Sequence, residues 1–404
     1  MPRTIFPPDD GGKIGIYNIT REFLSAGCKV HLVILAESDD EVAKHIPNDW
    51  DCECTVLLHS TTNTTKRIAT SLFSSEPLYL SKHYSKQMQQ TLLEIVHIFN
   101  PDIIHADHTA MMPLAVAVAR QCDVPIGFRL HNMEWRIWQR YADELQWWHP
   151  KYWYISRQAH LLKNREEELL SHAAVAFPIT IVDLHHAQSM QPDTRYCVAG
   201  AGVNPDEWKS DGVARVPHSM VLATVWSWIH NLNGGLWFIK EVMPKILREV
   251  NDATLTLLGK NAPQSLQQYG FYNVECKGYV ESVKPYYHSA SVYVAPLFVG
   301  GGVRIKILEA MAAGLPVVAT SVSAEGILAT QSDGLFVSDN ADEQATMIVR
   351  LLNEPDKARE YGAAAQRYVQ KHHTWKQEVD KMIAEYQRIV SQRLQKLADE
   401  YGKV

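Results

Sequence analysis

The chain has 404 residues, of which 46% are hydrophobic and 21% charged, an ordinary composition for a globular protein of two or three domains. Its net charge of −6 offers no excess of basic side chains to displace counterions from phosphates, which argues against a nucleic-acid partner. No stretch approaches the roughly 20 apolar residues that span a membrane, and the N-terminus lacks the apolar core of a signal peptide. We therefore expect a cytoplasmic protein.

Short apolar runs in the first half of the chain predict buried parallel strands. These runs lie at 29–35, 102–106 and 125–130, and helical patterns occupy 86–99 and 110–121. The alternation of strand and helix indicates βαβ units that build a parallel sheet.

The same alternation restarts further along and predicts a second α/β domain. Its strands are expected at 220–224, 254–259, 291–296 and 315–320, with a helix at 234–250. Gly, Asn, Pro and Asp cluster between residues 200 and 217 and mark the boundary. An apolar stripe recurs every three or four residues over 375–400, which predicts an amphipathic helix that must pack on another element.

The strongest signal for chemistry is residues 295–320, A-P-L-F-V-G-G-G-V-R-I-K-I-L-E-A-M-A-A-G-L-P-V-V-A-T. A strand leads through three glycines into a helix, whose free amides and positive dipole favour an anion such as a diphosphate. Arg304 and Lys306 place positive charge where the dipole disfavours it, and an anionic ligand would explain them. Taken alone, the glycines also fit a turn that only packs.

This string resembles the nucleotide-sugar site of the retaining GT-B glycosyltransferases of family 4, which includes sucrose-phosphate synthases and bacterial mannosyltransferases. Four other segments resemble the same family in the same order, so that the resemblance covers almost the whole chain. They are residues 7–12, 129–134, 200–204 and 220–238.

The resemblance implies an α/β GT-B fold of two facing Rossmann-like domains with parallel sheets and the donor in the cleft. It implies an acceptor domain at 1–205, a donor domain at 206–374, and a helix at 375–404 that crosses back to the first domain. The implied reaction is retaining transfer of a hexose from a UDP- or GDP-linked nucleotide sugar to a hydroxyl of a sugar or lipid-linked acceptor, in polysaccharide or glycolipid assembly. No metal ion or other cofactor is implied.

The resemblance also assigns roles to individual residues. Glu309 would bind the ribose, His131 would lie beside the transferred sugar, and Arg304 and Lys306 would stabilise the leaving diphosphate. Further donor-binding residues would be Gly11, Gly12, His230, Asn231, Gly300, Gly301, Gly302, Val303 and Glu325. The acceptor would be contacted by Asp107, His108 and Asn132.

Three features depart from the family pattern. Gly301 stands where many members have the first of two glutamates, and the loop at 226–231 lacks the Arg and Lys that many members present to the diphosphate. The prolines before residue 9 leave no room for the usual first strand, so we expect a central strand of the first sheet to be missing. A misassigned start, a truncated chain or a degenerate paralogue would explain its loss.

Two alternative functions stay open. A nucleotide-sugar epimerase could use the same fold, because fold does not fix function. A non-catalytic partner could bind a nucleotide sugar or stabilise an active enzyme.

Residues 135–154 contain five tryptophans interspersed with basic side chains. Aromatic and basic groups together suit a membrane interface or a sugar-stacking acceptor site, whereas helices packed on the first domain are the alternative. We therefore take peripheral contact with a membrane through this segment as a hypothesis.

Overall fold

The computed structural model describes residues 1–2, 5–6, 8, 11–37, 47, 50–209, 212–300 and 302–401. The chain divides into two compact units, of which unit 1 comprises Met1–Gly200 with Glu378–Val404 and unit 2 comprises Ala201–Gln377. The boundaries therefore fall at 200 and 377, not at the expected 205 and 374.

Among the described residues of unit 1, every strand pair is parallel. One sheet pairs β1 with β2, and the other has the order β3-β4-β5. The strands are β1 (His31–Ala36), β2 (Glu53–Leu58), β3 (Ile104–Asp107), β4 (Ile126–Leu130) and β5 (Val175–Pro178). Because parallel strands are covered by helices on their faces, their apolar residues form a buried core in which Phe128 and Leu130 are fully buried.

Helices of unit 1 alternate with these strands as the periodicity predicted. They are α1 (Gly11–Ser25), α2 (Thr65–Ser71), α3 (Leu78–Ser81), α4 (Lys86–Phe99), α5 (Met112–Cys122), α6 (Glu134–Asp143), α7 (Pro150–Ser171) and α8 (Ile181–Met190), with a short 3₁₀ turn at Thr109–Met111. The predicted helix at 86–99 is confirmed at both ends, since Ser85 caps the first turn and Asn100 ends the helix in the left-handed region.

The chain before α1 contains no strand within its described residues. The Leu35 N–H of β1 donates to the Met1 carbonyl at 3.0 Å. Met1 therefore lies along β1 on an edge where a further strand could pair. Gly11 and Gly12 form the first turn of α1. The segment at 7–12, which resembles the family, therefore ends in a helical turn.

Unit 2 contains a six-stranded parallel sheet with the order β11-β10-β9-β6-β7-β8. Its strands are β6 (Ser219–Ala223), β7 (Thr254–Leu258), β8 (Val274–Gly278), β9 (Val292–Ala295), β10 (Val317–Ala319) and β11 (Leu335–Val337). This is the doubly wound order of a Rossmann fold, in which the direction of winding reverses between the first and fourth strands. Here the reversal lies between β6 and β9.

Helices cover the sheet of unit 2. They are α9 (Ile229–Trp237), α10 (Met243–Glu249), α11 (Lys284–Ser289), α12 (Ile305–Ala312), α13 (Ala341–Asn353) and α14 (Pro355–His372), with 3₁₀ turns at Pro205–Trp208, Gln264–Tyr272 and Gln331–Asp333.

The single helix expected at 234–250 is wrong in detail. It begins at Ile229, and a π-helical turn, Phe238–Val242, separates α9 from α10. Pro244 explains the interruption, because it has no N–H to continue the α-helical hydrogen bonds.

The last helix, α15 (Trp375–Tyr401), belongs to unit 1 from Glu378 onward. The first part of its apolar stripe is buried there, with Val379 and Met382 almost inaccessible to solvent, whereas Leu394 near the end of the helix is 62% exposed. The Glu378 carboxylate accepts a hydrogen bond from the Gly200 N–H at 2.8 Å. Tyr386 lies over Gly127 of β4, so close that a Cβ at Gly127 would stand 2.2 Å from the Tyr386 hydroxyl.

Candidate active site

The predicted donor residues of unit 2 gather at the carboxyl ends of β6 and β9. These two strands pair directly, and the winding of the sheet reverses between them. In open α/β sheets, ligands bind in the crevice outside the carboxyl ends of the strands at this reversal. The loop after β9 carries the glycines, and the loop after β6 leads to α9.

Close packing fixes the start of the glycine loop. The Leu297 N–H donates to Ser323 Oγ at 3.0 Å, and the Thr320 hydroxyl donates to the Leu297 carbonyl. Gly234 of α9 lies against Pro296, where an added Cβ would meet the Pro296 carbonyl oxygen at 2.1 Å. The loop is therefore clamped between α9 and the turn after β10.

Glycine conformations let this loop turn into α12. Gly300 has φ 147° and Gly302 has φ 78°, values that residues with a Cβ rarely adopt. Arg304 is the N-cap residue of α12, and its side chain makes no capping hydrogen bond. An uncapped helix N-terminus leaves amide donors and a partial positive charge available for an anion.

The two cations lie beside this terminus. The Arg304 guanidinium packs on Gly300, since a Cβ on Gly300 would stand 1.9 Å from Arg304 Nη2. Lys306 is half-buried in the first turn of α12. The absence of a side chain at Gly300 is thus what gives Arg304 its position.

Glu309 lies one turn further along α12 and is only 8% exposed. Its Oε2 accepts no hydrogen bond from the part of the chain that the structure describes. Burial raises the pKa of Glu309, while the positive charges of Lys306 and Lys284 oppose that rise. A buried carboxylate oxygen with no hydrogen-bond partner is costly, and a ligand hydroxyl would relieve the cost.

The other predicted donor residues lie in the loops at this same end of the sheet. His230 and Asn231 lie in the first turn of α9, and the Asn231 amide donates to the Val225 carbonyl at 2.9 Å. Asn231 therefore holds the loop after β6 in shape. Val303 is half-buried next to Arg304, and Glu325 is half-buried in the turns after β10. Gly301 lies outside the described residues.

The predicted acceptor residues of unit 1 meet at the carboxyl ends of β3 and β4. Asp107 and Arg129 are register partners on these strands, and both are almost completely buried. Asp107 Oδ1 lies 2.5 Å from His131 Nε2 and 3.3 Å from Arg129 Nη1. Asp107 was expected to contact the acceptor. Its buried carboxylate contacts Arg129 and His131 instead, so it orients the imidazole.

The charges of this cluster reinforce one another. Burial on its own would raise the pKa of Asp107, but the positive charges of Arg129 and His131 hold it well below its usual range. His105 of β3 lies on the other side of Asp107, with its Nε2 3.9 Å from Oδ2. Burial lowers the pKa of His105 to about 4, so that this imidazole is neutral at pH 7. Its Nδ1 lies 2.5 Å from the Tyr386 hydroxyl.

His108 follows β3 with a φ of 99°, an unusual backbone conformation for a residue with a side chain. Such strain is found at functional sites when the surroundings impose it. The Tyr79 hydroxyl lies 3.0 Å from His108 Nδ1, and Glu134 Oε1 lies 3.7 Å from His108 Nε2. The His108 and His131 rings are 5.1 Å apart, so both predicted histidines line one location, and Asn132 is half-buried beside His131.

Sequence reasoning missed several of these contacts. Arg129 precedes His131 by two positions, and alternation along the extended chain could have placed them on one side. Tyr79 and Tyr386 come from distant segments, and no sequence signal linked them to this location. Glu134 closes the 129–134 segment, but the sequence assigned it no role. Likewise, Tyr287 and Tyr293 are buried near the Glu309 charge without any motif that marks them.

A metal site is not evident in the described ranges, where no group of three or more His, Cys, Asp or Glu side chains could hold an ion.

Comparison with known proteins supplies the family. Residues 10–165 match the family model described as Glycosyltransferase Family 4, and residues 219–354 match that of Glycosyl transferases group 1. The structure is similar to sucrose-phosphate synthase from Thermosynechococcus elongatus, with a TM-score of 0.70 and 16% identity over 96% of this chain and 98% of that chain. The chain is a GT4-like glycosyltransferase of the GT-B fold.

Two further proteins are similar to this glycosyltransferase. The Anabaena protein Alr3699/HepE, solved in complex with UDP and glucose, aligns with a TM-score of 0.59 and 14% identity over 95% of this chain and 96% of that chain. A 44.6 kDa protein in the cps region of Klebsiella pneumoniae is 26% identical over 121 residues, which cover 28% of this chain. That match spans only 31% of the relative's length.

Within the described residues, no helix has the length and apolar character needed to cross a bilayer.

Proposed function

We propose that this glycosyltransferase moves a hexose from a UDP- or GDP-linked sugar to an acceptor hydroxyl with retention of the anomeric configuration. The observation that carries the proposal is the buried Glu309 carboxylate beside the uncapped N-terminus of α12. A polysaccharide or glycolipid precursor is the acceptor class that we propose.

A nucleoside diphosphate fits the unit 2 site in two ways. The α12 N-terminus, Arg304 and Lys306 offer hydrogen bonds and positive charge to a diphosphate. Glu309 lies one turn along the same helix and offers a carboxylate to the two ribose hydroxyls. The Anabaena neighbour contains UDP and glucose, which supports a nucleotide sugar as the ligand to test first.

Charge stabilisation is the main chemical task of such a site. As the bond between the sugar and the diphosphate breaks, negative charge grows on the leaving oxygen. Preorganised amides and cations near that oxygen lower the barrier, and here Arg304 and Lys306 would supply the cations without a metal ion. In the retaining proposal the acceptor attacks on the face that the diphosphate leaves.

The unit 1 cluster fits the sugar and acceptor. Asp107 orients His131 through the 2.5 Å contact, and an oriented imidazole can hydrogen-bond a sugar hydroxyl. His108 presents a second imidazole 5.1 Å away, measured between ring centroids. We assign both to substrate contact, with Asp107 and Arg129 as positioning residues.

A transfer assay tests the proposal. The purified protein is incubated with UDP- and GDP-hexoses and a panel of sugar and lipid-linked acceptors, and the anomeric configuration of the product is read by NMR. We expect a retained linkage with one donor, and loss of kcat by about 10²–10³-fold in Arg304→Ala. Arg359→Ala, on the exposed surface of α14, is the matched control and should keep the wild-type rate.

Three results would overturn the proposal. An inverted linkage would exclude retention. Conversion of the donor sugar without acceptor would favour an epimerase. No reaction with any donor, together with wild-type behaviour of Arg304→Ala in nucleotide binding, would favour a non-catalytic partner.

A further inference from the structure

We propose that unit 1 docks on the surface of an anionic lipid bilayer through an aromatic face made of Phe73, Trp147, Trp148 and Trp153. This inference goes beyond the transfer reaction and does not depend on it, because it concerns a surface whose lipid binding can be measured without a donor.

The aromatic face combines large apolar side chains that solvent reaches. Phe73 is 92% exposed, and Trp147, Trp148 and Trp153 are 66%, 65% and 63% exposed. By contrast, Trp135 and Trp138 of α6 pack on the core of unit 1. Packing on the first domain therefore accounts for these two tryptophans. It does not account for the exposed rings of Trp147, Trp148 and Trp153, which lie around the α6–α7 turn.

Two separate segments of the chain build this face. The Tyr154 hydroxyl of α7 lies 2.8 Å from Ser71 Oγ at the end of α2. The Arg157 guanidinium donates to the carbonyls of Ser71 at 3.0 Å and Ser74 at 2.7 Å, and so holds the loop that carries Phe73. Trp153 precedes Arg157 by four positions on the same helix and therefore lies next to it. Phe73 and Trp153 thus both border Arg157.

Exposed aliphatic side chains lie near these aromatic residues in the chain. Leu72 and Ile137 are each nearly half exposed. A sugar-stacking site needs the face of one or two aromatic rings with hydrogen-bonding groups around them. Exposed aliphatic side chains do not contribute to such a site. Tryptophan rings at the edge of an apolar patch instead suit the boundary between lipid headgroups and acyl chains.

The charge of these segments matches an anionic surface. Residues 66–73 and 135–157 contain six basic and two acidic side chains, although the whole chain has a net charge of −6. The basic residues include Lys66 and Arg67 of α2, and Lys151, whose ammonium group lies 4.7 Å from the centre of the Tyr141 ring. Local positive charge on an acidic protein favours one orientation at a negatively charged bilayer.

Vesicle sedimentation of the full chain, without donor or acceptor, tests the proposal. Vesicles of phosphatidylcholine are compared with vesicles that also contain phosphatidylglycerol. We expect wild type to sediment with the anionic vesicles, and more weakly as salt is added. Trp147→Ser/Trp148→Ser/Trp153→Ser should weaken binding to both vesicle types by at least about tenfold per tryptophan. Lys66→Gln/Lys151→Gln should weaken only the binding to anionic vesicles, by about 30-fold.

Phe271→Ser is the matched control, because Phe271 is 70% exposed but belongs to unit 2. It should bind like wild type, and circular dichroism should show that all variants are folded. The proposal is overturned if wild type stays in the supernatant with both vesicle types, or if the triple variant sediments like wild type. Loss of affinity for a water-soluble acceptor in the triple variant, with sedimentation unchanged, would instead assign the face to the acceptor.

Discussion

Two buried carboxylates lie beside the histidines of unit 1. Glu166 accepts hydrogen bonds from the Glu134 and Trp135 amides at 3.1 and 3.0 Å, and so satisfies the N-terminus of α6 from another helix. Burial raises the pKa of Glu134 to about 7 and that of Glu166 to about 8. Both groups therefore bind protons in the folded protein at pH values where the unfolded chain has lost them.

This difference predicts a pH dependence of stability. Glu134 is neutral in both states below its unfolded pKa of 4.5, and its folded-state pKa is about 7. The folded state thus holds the extra proton between these values, and the free energy of unfolding falls as the pH rises through this window. Glu134→Gln should flatten that decline in denaturant titrations at several pH values. The exposed Glu94→Gln should retain it, and a decline equal to wild type in Glu134→Gln would refute the assignment.

The residues of the two candidate sites differed in how well the sequence predicted them. Arg304, Lys306 and Glu309 follow one another along a single loop and helix, so that a local string was sufficient to group them. The contact between Asp107 and His131 joins two strands, and it depends on a register that the sequence does not state. The buried state of Asp107 was missed for this reason.

At the scale of elements, the unpredicted strands β2, β5, β8 and β11 lie at sheet edges. β8 buries only Val274 and exposes Glu275 and Lys277, and β11 has three residues. Central strands such as β6 and β9 are covered on both faces and read as continuous apolar runs. β8 has no such run, and apolar patterning therefore does not mark it. Edge position alone does not decide the outcome, because β1 and β3 are also edge strands and were predicted, whereas β5 was missed although it is buried along its length.

The packing of α15 on β4 leads to a prediction about stability. In Gly127→Ala the new methyl group would overlap the buried Tyr386 ring, and overpacking of this kind costs about 1–3 kcal/mol. Gly270→Ala is the matched control, because nothing lies within 4 Å of a Cβ there. Thermal or denaturant unfolding should show the loss in Gly127→Ala alone. Equal stability of the two variants would contradict the close packing of α15.

At the scale of the whole molecule, unit 1 is discontinuous and unit 2 is a single stretch of chain. The repeated βαβ rhythm predicted two α/β domains, and the apolar stripe at 375–400 predicted a helix that packs elsewhere. The observed boundaries differ from the expected ones by only a few residues, and the second boundary falls inside α15, where no break in the helical pattern marks it. Apart from Gly11 and Gly12, the predicted donor residues belong to unit 2, and the unit 2 site can therefore be tested by changing unit 2 alone.

Calorimetric titration with UDP and GDP tests the central claim most directly, with wild type, Glu309→Ala and the exposed control Glu360→Ala compared under one condition. We expect wild type and Glu360→Ala to bind one of the two nucleotides. Glu309→Ala should bind it about 10–100-fold more weakly, since hydrogen bonds to a charged group are lost. If neither nucleotide binds to wild type, or if Glu309→Ala binds as tightly as wild type, the assignment of the unit 2 site to a nucleotide sugar is contradicted.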